Sequence, residues 1–343
     1  MVINNSPETP PGKVISTNIV RCKLTRPFTT ARGTRTEQRL LKVQISAGGH
    51  IGRGETAGVA YDGETVEGLT SQIEGRKEAL SKCLSREALL DILPPGGARA
   101  AIDAAFWDLE AKITGQSVSQ QLGRTAPPQN VMTAFTISLD TPAAMAAQTQ
   151  DEAHRPLLKV KLGGRDGIDI ARATAVRENA PDARLVADGN GGFTPDTIHE
   201  TALALRELNY ELFEQPLLHG QDAFLDDYTS PLPLCADESL ASLDDLELVA
   251  RRYTIGNIKL DKCGGLTHGL ELQKGLRERN MGVFIGTMLT GSMSVVPALH
   301  LAQGADYIDL DTPMWIIEED VPPLSQDGIK LTAPDAGFWG TPT

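Results

Sequence analysis

Two lysines and three carboxylates stand in this sequence where side chains could do chemistry together. The stretch LLKVKLGG (residues 157–164) reads as a short buried strand running into a glycine turn. Leu158, Val160 and Leu162 share one face of such a strand, and Lys159 and Lys161 share the other. Two ammonium groups on one face of an apolar strand repel, so a local reason for them is required. Further along, RLVADGN closes an apolar run on Asp188, YELFEQP on Glu214 and LPLCADES on Asp237. Oxygen-only donors of this kind suit a hard cation, and three carboxylates with open positions suit Mg²⁺. Any one of these acids could simply cap the helix that follows it; three on consecutive strands point to a shared site. GNIKLDKCGG ends a further run on Lys259. A lysine near other cations in a low-dielectric site gives up its proton more readily, which makes it usable as a base.

The elements that must position these groups follow from their spacing. Strand ends are expected at Thr136, Lys161, Asp188, Glu214, Asp237, Lys259, Ile285 and Asp309, with steps of 27, 26, 23, 22, 26 and 24 residues from Lys161 onward. Each step holds one strand, one loop and one helix. Eight such units make a (β/α)8 barrel, whose chemistry sits at the C-terminal ends of the strands; a doubly wound sheet would also alternate. Residues 14–60 read as strands and 66–120 as helices. ARAAIDAAFWDLEAKITG is the clearest helix, with Ala101, Ala104, Ala105 and Leu109 at helical spacing and Gly115 as its stop. The expected fold is α/β: a modified TIM (β/α)7–8 barrel over residues 126–320, with an N-terminal α+β capping domain over 14–125. Residues 1–13 are expected to form a disordered leader, and 321–343 a C-terminal segment packing back on the capping domain.

Composition narrows the function classes. The chain has 343 residues and a formal net charge of −13, which disfavours nucleic acid or an anionic membrane as partner. No apolar window is long enough for a membrane span, and the polar, proline-rich start is no secretory signal. Cys22, Cys83, Cys235 and Cys263 are scattered without metal-ligand spacing, as in a protein of the reducing cytoplasm. The six histidines join no ligand pattern. The partner expected is a small molecule; a homo-oligomer is compatible with the sequence and not set by it.

The order KxK, Asp, Glu, Asp, KxD on successive strands resembles the enolase superfamily and, within it, the muconate-lactonizing subgroup. ARAAIDAAFWDLEAKITGQSVSQQLG is similar to the helical signature of that family's capping domain, and ADESL and IKLDKCGGLT to its fifth and sixth barrel strands. The resemblance implies Asp188, Glu214 and Asp237 as Mg²⁺ ligands and Lys161 and Lys259 as acid/base catalysts on opposite faces of the substrate. It further implies Lys159 as the neighbour that tunes Lys161, and Asn190 as a support of the ligand set. Members commonly read DAN where this chain reads DGN, a departure that leaves the ligand in place.

Substrate choice is read from two other places. In YIDLDTPMW, Asp309 and Asp311 lie two apart on the eighth strand, away from the metal, and could bind a cationic ammonium group. This DxD resembles the hallmark of dipeptide epimerases, where it holds the substrate's free amine. RPFTTARGTRTE resembles the corresponding loop of bacterial L-Ala-D/L-Glu epimerases, with Arg32 or Arg35 available to an acidic side chain by bidentate pairing. Tyr61 in GETAGVAYDGET is a candidate lid residue, and Thr136, Met288 and Ser292 are candidate pocket residues. The resemblance thus implies a Mg²⁺-dependent isomerase that epimerises dipeptides by two-base proton transfer, L-Ala-Glu foremost, in peptidoglycan-peptide recycling. A dipeptide epimerase of other specificity, an N-acylamino acid racemase or o-succinylbenzoate synthase-like enzyme, and a catalytically inert barrel are the alternatives.

Overall fold

A computed structural model describes residues 12–83, 85–318, 324, 326–327, 330–331 and 337–342. The expected leader lies outside the described residues except for Gly12 and Lys13, as does much of the expected C-terminal segment. The chain opens with an antiparallel meander, β1 (Val14–Thr30), β2 (Gly33–Ala47) and β3 (His50–Thr56). Leu41, Val43 and Ile45 alternate inward along β2 and are buried. Helices α1 (Val66–Gly75), α2 (Lys77–Lys82), α3 (Arg86–Ile92), α4 (Gly97–Thr114) and α5 (Val118–Gln121) follow. As expected, α4 ends on Gly115 in the left-handed conformation. Its alanines are buried nearly all round because the helix is wedged between the meander and the barrel. At Gly54 an added Cβ would lie 2.0 Å from the Ala101 carbonyl oxygen, so β3 can rest on α4 only with glycine there.

The barrel alternates as the spacing predicts. After the short β4 (Val131–Met132) come β5 (Phe135–Ile137), α6 (Pro142–Glu152), β6 (Leu157–Lys161), α7 (Asp169–Asn179), β7 (Arg184–Asp188), α8 (Pro195–Glu207) and β8 (Tyr210–Glu214). Then follow β9 (Leu234–Ala236), α9 (Leu246–Arg252), β10 (Ile255–Lys259), the one-turn α10 (Leu260–Cys263), α11 (Leu266–Glu278), β11 (Gly282–Gly286), α12 (Ser292–Ala302) and β12 (Tyr307–Asp309). Strands β5 to β12 form one parallel sheet in sequence order. Its two edges meet where the Ala134 amide donates to the Ile308 carbonyl at 2.7 Å, which nearly closes the barrel. All eight strands end within one residue of the expected positions. The helices are fewer than eight units would give: a 3₁₀ turn over Asp222–Asp227 replaces the helix after β8. Pro216, Gly220, Pro231 and Pro233 bound that connection at its two ends. Short strand β13 (Gln326–Asp327) pairs with β14 (Lys330–Leu331), which in turn pairs with β4. All four cysteines are buried and unbridged, and among the described residues no helix is long and apolar enough to cross a membrane.

The N-terminal domain is bolted to the barrel beside β10. Arg99 on α4 donates to the carbonyls of Cys263 and Gly264, and Asp103 accepts from the Thr267 amide and hydroxyl at the start of α11. Asp261, on α10, accepts from the Thr56 hydroxyl at 2.5 Å and the Ala57 amide at 3.2 Å. Trp339 donates from its indole to the carbonyls of Arg53 and Ala104, tying residues 337–342 to the same face.

A second contact carries a pH dependence. Glu55 at the end of β3 accepts from the Gly291 amide at 2.9 Å, and Glu318 accepts from the Ser292 amide beside it. Burial, reinforced by the Glu318 charge, pushes the Glu55 carboxyl up to about 8. The folded chain therefore keeps a proton that the unfolded chain releases near its ordinary value of about 4.3. Stability falls as pH rises through this window, at most by about 1.4 kcal/mol per pH unit. Urea denaturation of wild type and Glu55→Gln between pH 5 and 8 is expected to show that slope in the difference between them. Parallel profiles would mean that Glu55 does not titrate there.

Candidate active site

Parallel register brings the charged groups to one level. Lys161 lies beside Asp188 and Asp188 beside Glu214 on adjacent strands, with Asp237 just past the end of β9. Across the barrel, Lys259 and Asp309 both flank Gly286. A Cβ on Gly286 would sit 2.8 Å from Asn257 Oδ1 and 3.2 Å from Lys259 Cε, so this glycine leaves the room those side chains occupy. The carboxylate oxygens of Asp188, Glu214 and Asp237 all lie within 4.8 Å of one another, and all three residues are wholly buried. Three ionised carboxylates so close out of water would be untenable without positive charge.

Lysines supply it from the protein. Lys159 Nζ reaches Glu214 at 2.7 Å, Asp309 at 2.8 Å and Asp188 at 3.2 Å. Lys161 Nζ lies 2.6 Å from Asp188, and Lys259 Nζ 2.7 Å from Asp237. Lys262 donates to the other Asp237 oxygen at 2.6 Å and to the Asn257 carbonyl. The charges of Lys161 and Lys159 hold Asp188 below the usual carboxylate range, and those of Lys259 and Lys262 hold Asp237 far below it, in each case against burial. Burial, with Asp188 adding, pushes Glu214 up to about 7. Burial acts to lower Lys159 and Lys259, yet facing carboxylates win and raise both, Lys159 mainly through Asp309 and Lys259 mainly through Asp237. Mutual repulsion is not what dominates around these two ammonium groups.

Asn190 sits in the left-handed region at φ 43°, a conformation asparagine tolerates. Its amide N–H donates to Asp188 Oδ1 at 2.9 Å and its side chain reaches Glu238 at 3.4 Å. The glycine of DGN eases the packing: a Cβ at Gly189 would come within 3.1 Å of the Gln215 carbonyl and the Pro216 Cα, which would have to give by a few tenths of an ångström to admit alanine. Sequence reasoning missed four supporting residues. Gln215 accepts from the amides of Asp237 and Ser239, fixing the turn that carries the third carboxylate. Asn257 donates to Glu214 at 2.8 Å, Lys262 grips Asp237, and buried Glu238 pairs with Arg32. Each lies beside or one turn from a predicted residue; Asn257, two before Lys259, had to share its inward face.

Above the carboxylates is a cavity of about 230 Å³. Lys159, Lys161, Lys259 and Asn190 line its floor and sides, and Asp309, Asp311, Thr136 and Met288 its far wall. Arg32, Arg35 and Tyr61 reach it from the N-terminal domain. Ser292 does not: it starts α12 and its hydroxyl donates to Glu318 at 2.6 Å. Asp309 is also closer to the carboxylate cluster than the sequence reading had it, because Lys159 bridges the two. Asp311 accepts from the Thr136 amide at 2.8 Å and the Trp315 indole at 3.0 Å, while burial and the Asp309 charge push it up to about 6. The two arginines separate. Arg32 pairs with Glu238 and stacks over the Tyr61 ring at 4.7 Å, whereas Arg35 meets Gln38 at 3.0 Å.

Comparison with known proteins agrees with this geometry. Residues 14–123 match the mandelate racemase/muconate lactonizing enzyme N-terminal domain, and residues 142–335 match the enolase C-terminal domain-like family. The chain is 38% identical over 300 residues to the L-Ala-D/L-Glu epimerase of Escherichia coli K12, covering 87% of this chain and 92% of that one. It is 36% identical over 282 residues to the N-acetyl-D-glutamate racemase of a Pseudoalteromonas species, covering 82% and 88%. A crystal structure of an enolase family member from Agrobacterium tumefaciens, with bound sodium, L-Ala-L-Glu and an ordered loop, superposes with a TM-score of 0.92. That protein is 39% identical, and the match covers 96% of this chain and 100% of that one.

The buried carboxylate triad fits a hard divalent cation in donor type and spacing. Mg²⁺ at 100 times its dissociation constant is expected to stabilise the protein by about 2.7 kcal/mol, read as a rise in melting temperature. Glu214→Gln should lose that rise. Equal melting curves with Mg²⁺ and with chelator would exclude a site of useful affinity.

Proposed function

The chain belongs to the mandelate racemase/muconate lactonizing enzyme family of enolase-type barrels, and from that premise we propose that it epimerises dipeptides at the α-carbon of an acidic C-terminal residue, L-Ala-L-Glu to L-Ala-D-Glu and back. One observation carries the reading. In the eight-stranded order, β6 with Lys161 and β10 with Lys259 are four strands apart, on opposite sides of the barrel axis. The triad occupies β7 to β9 on one arc between them, and Asp309 and Asp311 stand at β12 on the other. A dipeptide laid across the mouth with its carboxylate toward the triad and its amine toward β12 has its α-carbon between the two lysines.

Mg²⁺ held by Asp188, Glu214 and Asp237 would supply positive charge where the substrate carboxylate gains electron density as the α-proton leaves. Lys161 or Lys259, whichever is neutral, takes that proton on its own face. The opposite lysine, protonated, delivers one to the other face, and the two exchange roles in the reverse direction. The raised proton affinity of Lys259 suits the donor half of this cycle. Asp309 and Asp311 would hold the ammonium group. Arg32 is already neutralised by Glu238, so Arg35 is the arginine assigned to the substrate's acidic side chain. The E. coli relative supports the dipeptide, and the peptidoglycan-recycling setting goes with it.

A second reading has its own support. Lys159 already occupies one Asp309 oxygen, and the Pseudoalteromonas relative is named for N-acetyl-D-glutamate, which has no free amine. Both readings share the glutamyl end.

Incubation with Mg²⁺ in deuterium oxide should place deuterium only on the glutamyl α-carbon of L-Ala-L-Glu, as followed by proton NMR. Exchange into N-acetylglutamate but not L-Ala-L-Glu would establish the second reading instead. Lys161→Ala and Lys259→Ala should each abolish epimerisation and leave exchange from one face only; unchanged turnover in both would sink the two-base scheme. Asp311→Asn keeps the acceptor for Thr136 and should raise KM for L-Ala-L-Glu at least tenfold, about 1.4 kcal/mol. An unchanged KM would remove Asp311 from amine binding.

A further inference from the structure

The β1–β2 hairpin is not paired along its whole length. Lys23 pairs with Glu37 and Phe28 with Arg35, so four residues of β1 stand against one of β2 in between. Across this bulge β1 leaves its partner and joins the barrel: the Thr25 amide donates to the Trp315 carbonyl at 2.8 Å, and the Ile317 amide donates to the Lys23 carbonyl at 2.9 Å. Arg26 stacks on Trp315 and Phe135 at 4.8 and 4.9 Å. Residues 28–35 beyond the bulge therefore form a flap with an anchored root, reaching over the cavity.

The tip of that flap makes one strongly charged contact. Arg32 ion-pairs with Glu238, whose side chain is 1% exposed, while its own is 35% exposed. Without Arg32, among the described residues Glu238 keeps only the 3.4 Å contact from Asn190, and its second oxygen has no hydrogen-bond partner there. A buried carboxylate stripped of its cation is costly, whereas the exposed arginine loses little on its own account. The Tyr61 ring under the guanidinium adds a contact from another loop of the same domain. Asp261, two residues after Lys259, holds the start of that loop at Thr56 and Ala57.

We propose that Arg32 and Glu238 are the latch that holds the hairpin tip closed over the cavity, so that Arg32 is a positioning residue and not a substrate ligand. Arg35 lies three residues farther along the same tip, and closure sets it over the mouth. Releasing the latch therefore displaces the group assigned above to the acidic side chain. This last consequence rests on the dipeptide reading; the latch itself does not.

Trypsin tests the latch without any substrate, because Arg35 is a cleavage site inside the flap. On full-length protein, Arg32→Gln and Glu238→Gln should each raise the rate of cleavage after Arg35 about tenfold, with melting temperatures near wild type. The double variant should be cut no faster than either single one, because both remove the same contact. Wild-type cleavage rates in the single variants, or additive rates in the double variant, would overturn the latch. If a variant melts early, hydrogen exchange at residues 28–35 compared with β7 separates opening of the flap from general unfolding; equal gains in both would overturn it. In kinetics, Arg32→Gln should raise KM for L-Ala-L-Glu about tenfold and change kcat less than threefold. A loss confined to kcat would place Arg32 with the reacting groups instead. Absence of any dipeptide turnover alongside faster proteolysis would fail the functional reading and leave the latch standing.

Discussion

Lys159 is the residue on which the rest of this site depends. It is wholly buried, with three carboxylates from three strands around its ammonium group. A lone ammonium there would cost several kcal/mol, and so would each carboxylate; together they are tolerable because each is the other's solvent. The consequence is rigidity. Glu214 and Asp309, which lie four strands apart, are held to one nitrogen, so the two arcs of the barrel mouth cannot drift independently. Lys262 does the same for Asp237 on its own side, with the Asn257 carbonyl as a further fixed point. Charges are thus placed by pairing before any substrate arrives, the preorganisation on which electrostatic catalysis rests.

That constraint explains which parts could be read in the sequence. Lys161, Asp188, Glu214 and Lys259 each close an apolar run, and strand periodicity with regular spacing was enough to bring them to one mouth. What spacing could not show is partnership. Repulsion between Lys159 and Lys161 is the natural inference from one strand taken alone; the carboxylates that reverse it come from β7, β8 and β12. Glu238 was passed over for a related reason. It follows Asp237 directly, past the end of β9, where strand alternation gives no direction for its side chain, and its charged partner comes from the hairpin of a different domain. The missing helix after β8 was legible in Pro216, Pro231 and Pro233, but the 23-residue step from Glu214 to Asp237 hid it, since irregular loop fills the same length.

The N-terminal domain matters to the chemistry through where it is fastened. Arg99, Asp103 and Asp261 attach it next to β10, the strand that ends on Lys259. Among the described residues, its only elements over the cavity are the hairpin tip with Arg32 and Arg35 and the loop with Tyr61. Glycine at position 54 lets β3 touch α4 backbone to backbone, which makes the domain one solid body behind those two projections. The residues proposed to handle protons thus sit on barrel strands, and those proposed to sense the far end of the substrate sit on an attached body.

This division bears on how one scaffold serves substrates as different as a dipeptide and an N-acylated amino acid. In the proposed placement the lysines and the triad would meet only the α-carbon and its carboxylate, which both substrates share, so nothing on β6 to β10 would need to change between them. Under the dipeptide proposal the amine would be sensed at Asp309, and Asp309 is also a counter-charge of Lys159. An ammonium group arriving there competes with a buried lysine for one carboxylate, and a neutral acyl group leaves that pair undisturbed. Asp311 differs: its bonds come from a backbone amide and an indole, neither of them charged. The carboxylate free to take a full positive charge without robbing Lys159 is therefore Asp311, and selection for an amine falls more heavily on the second aspartate of the motif than on the first.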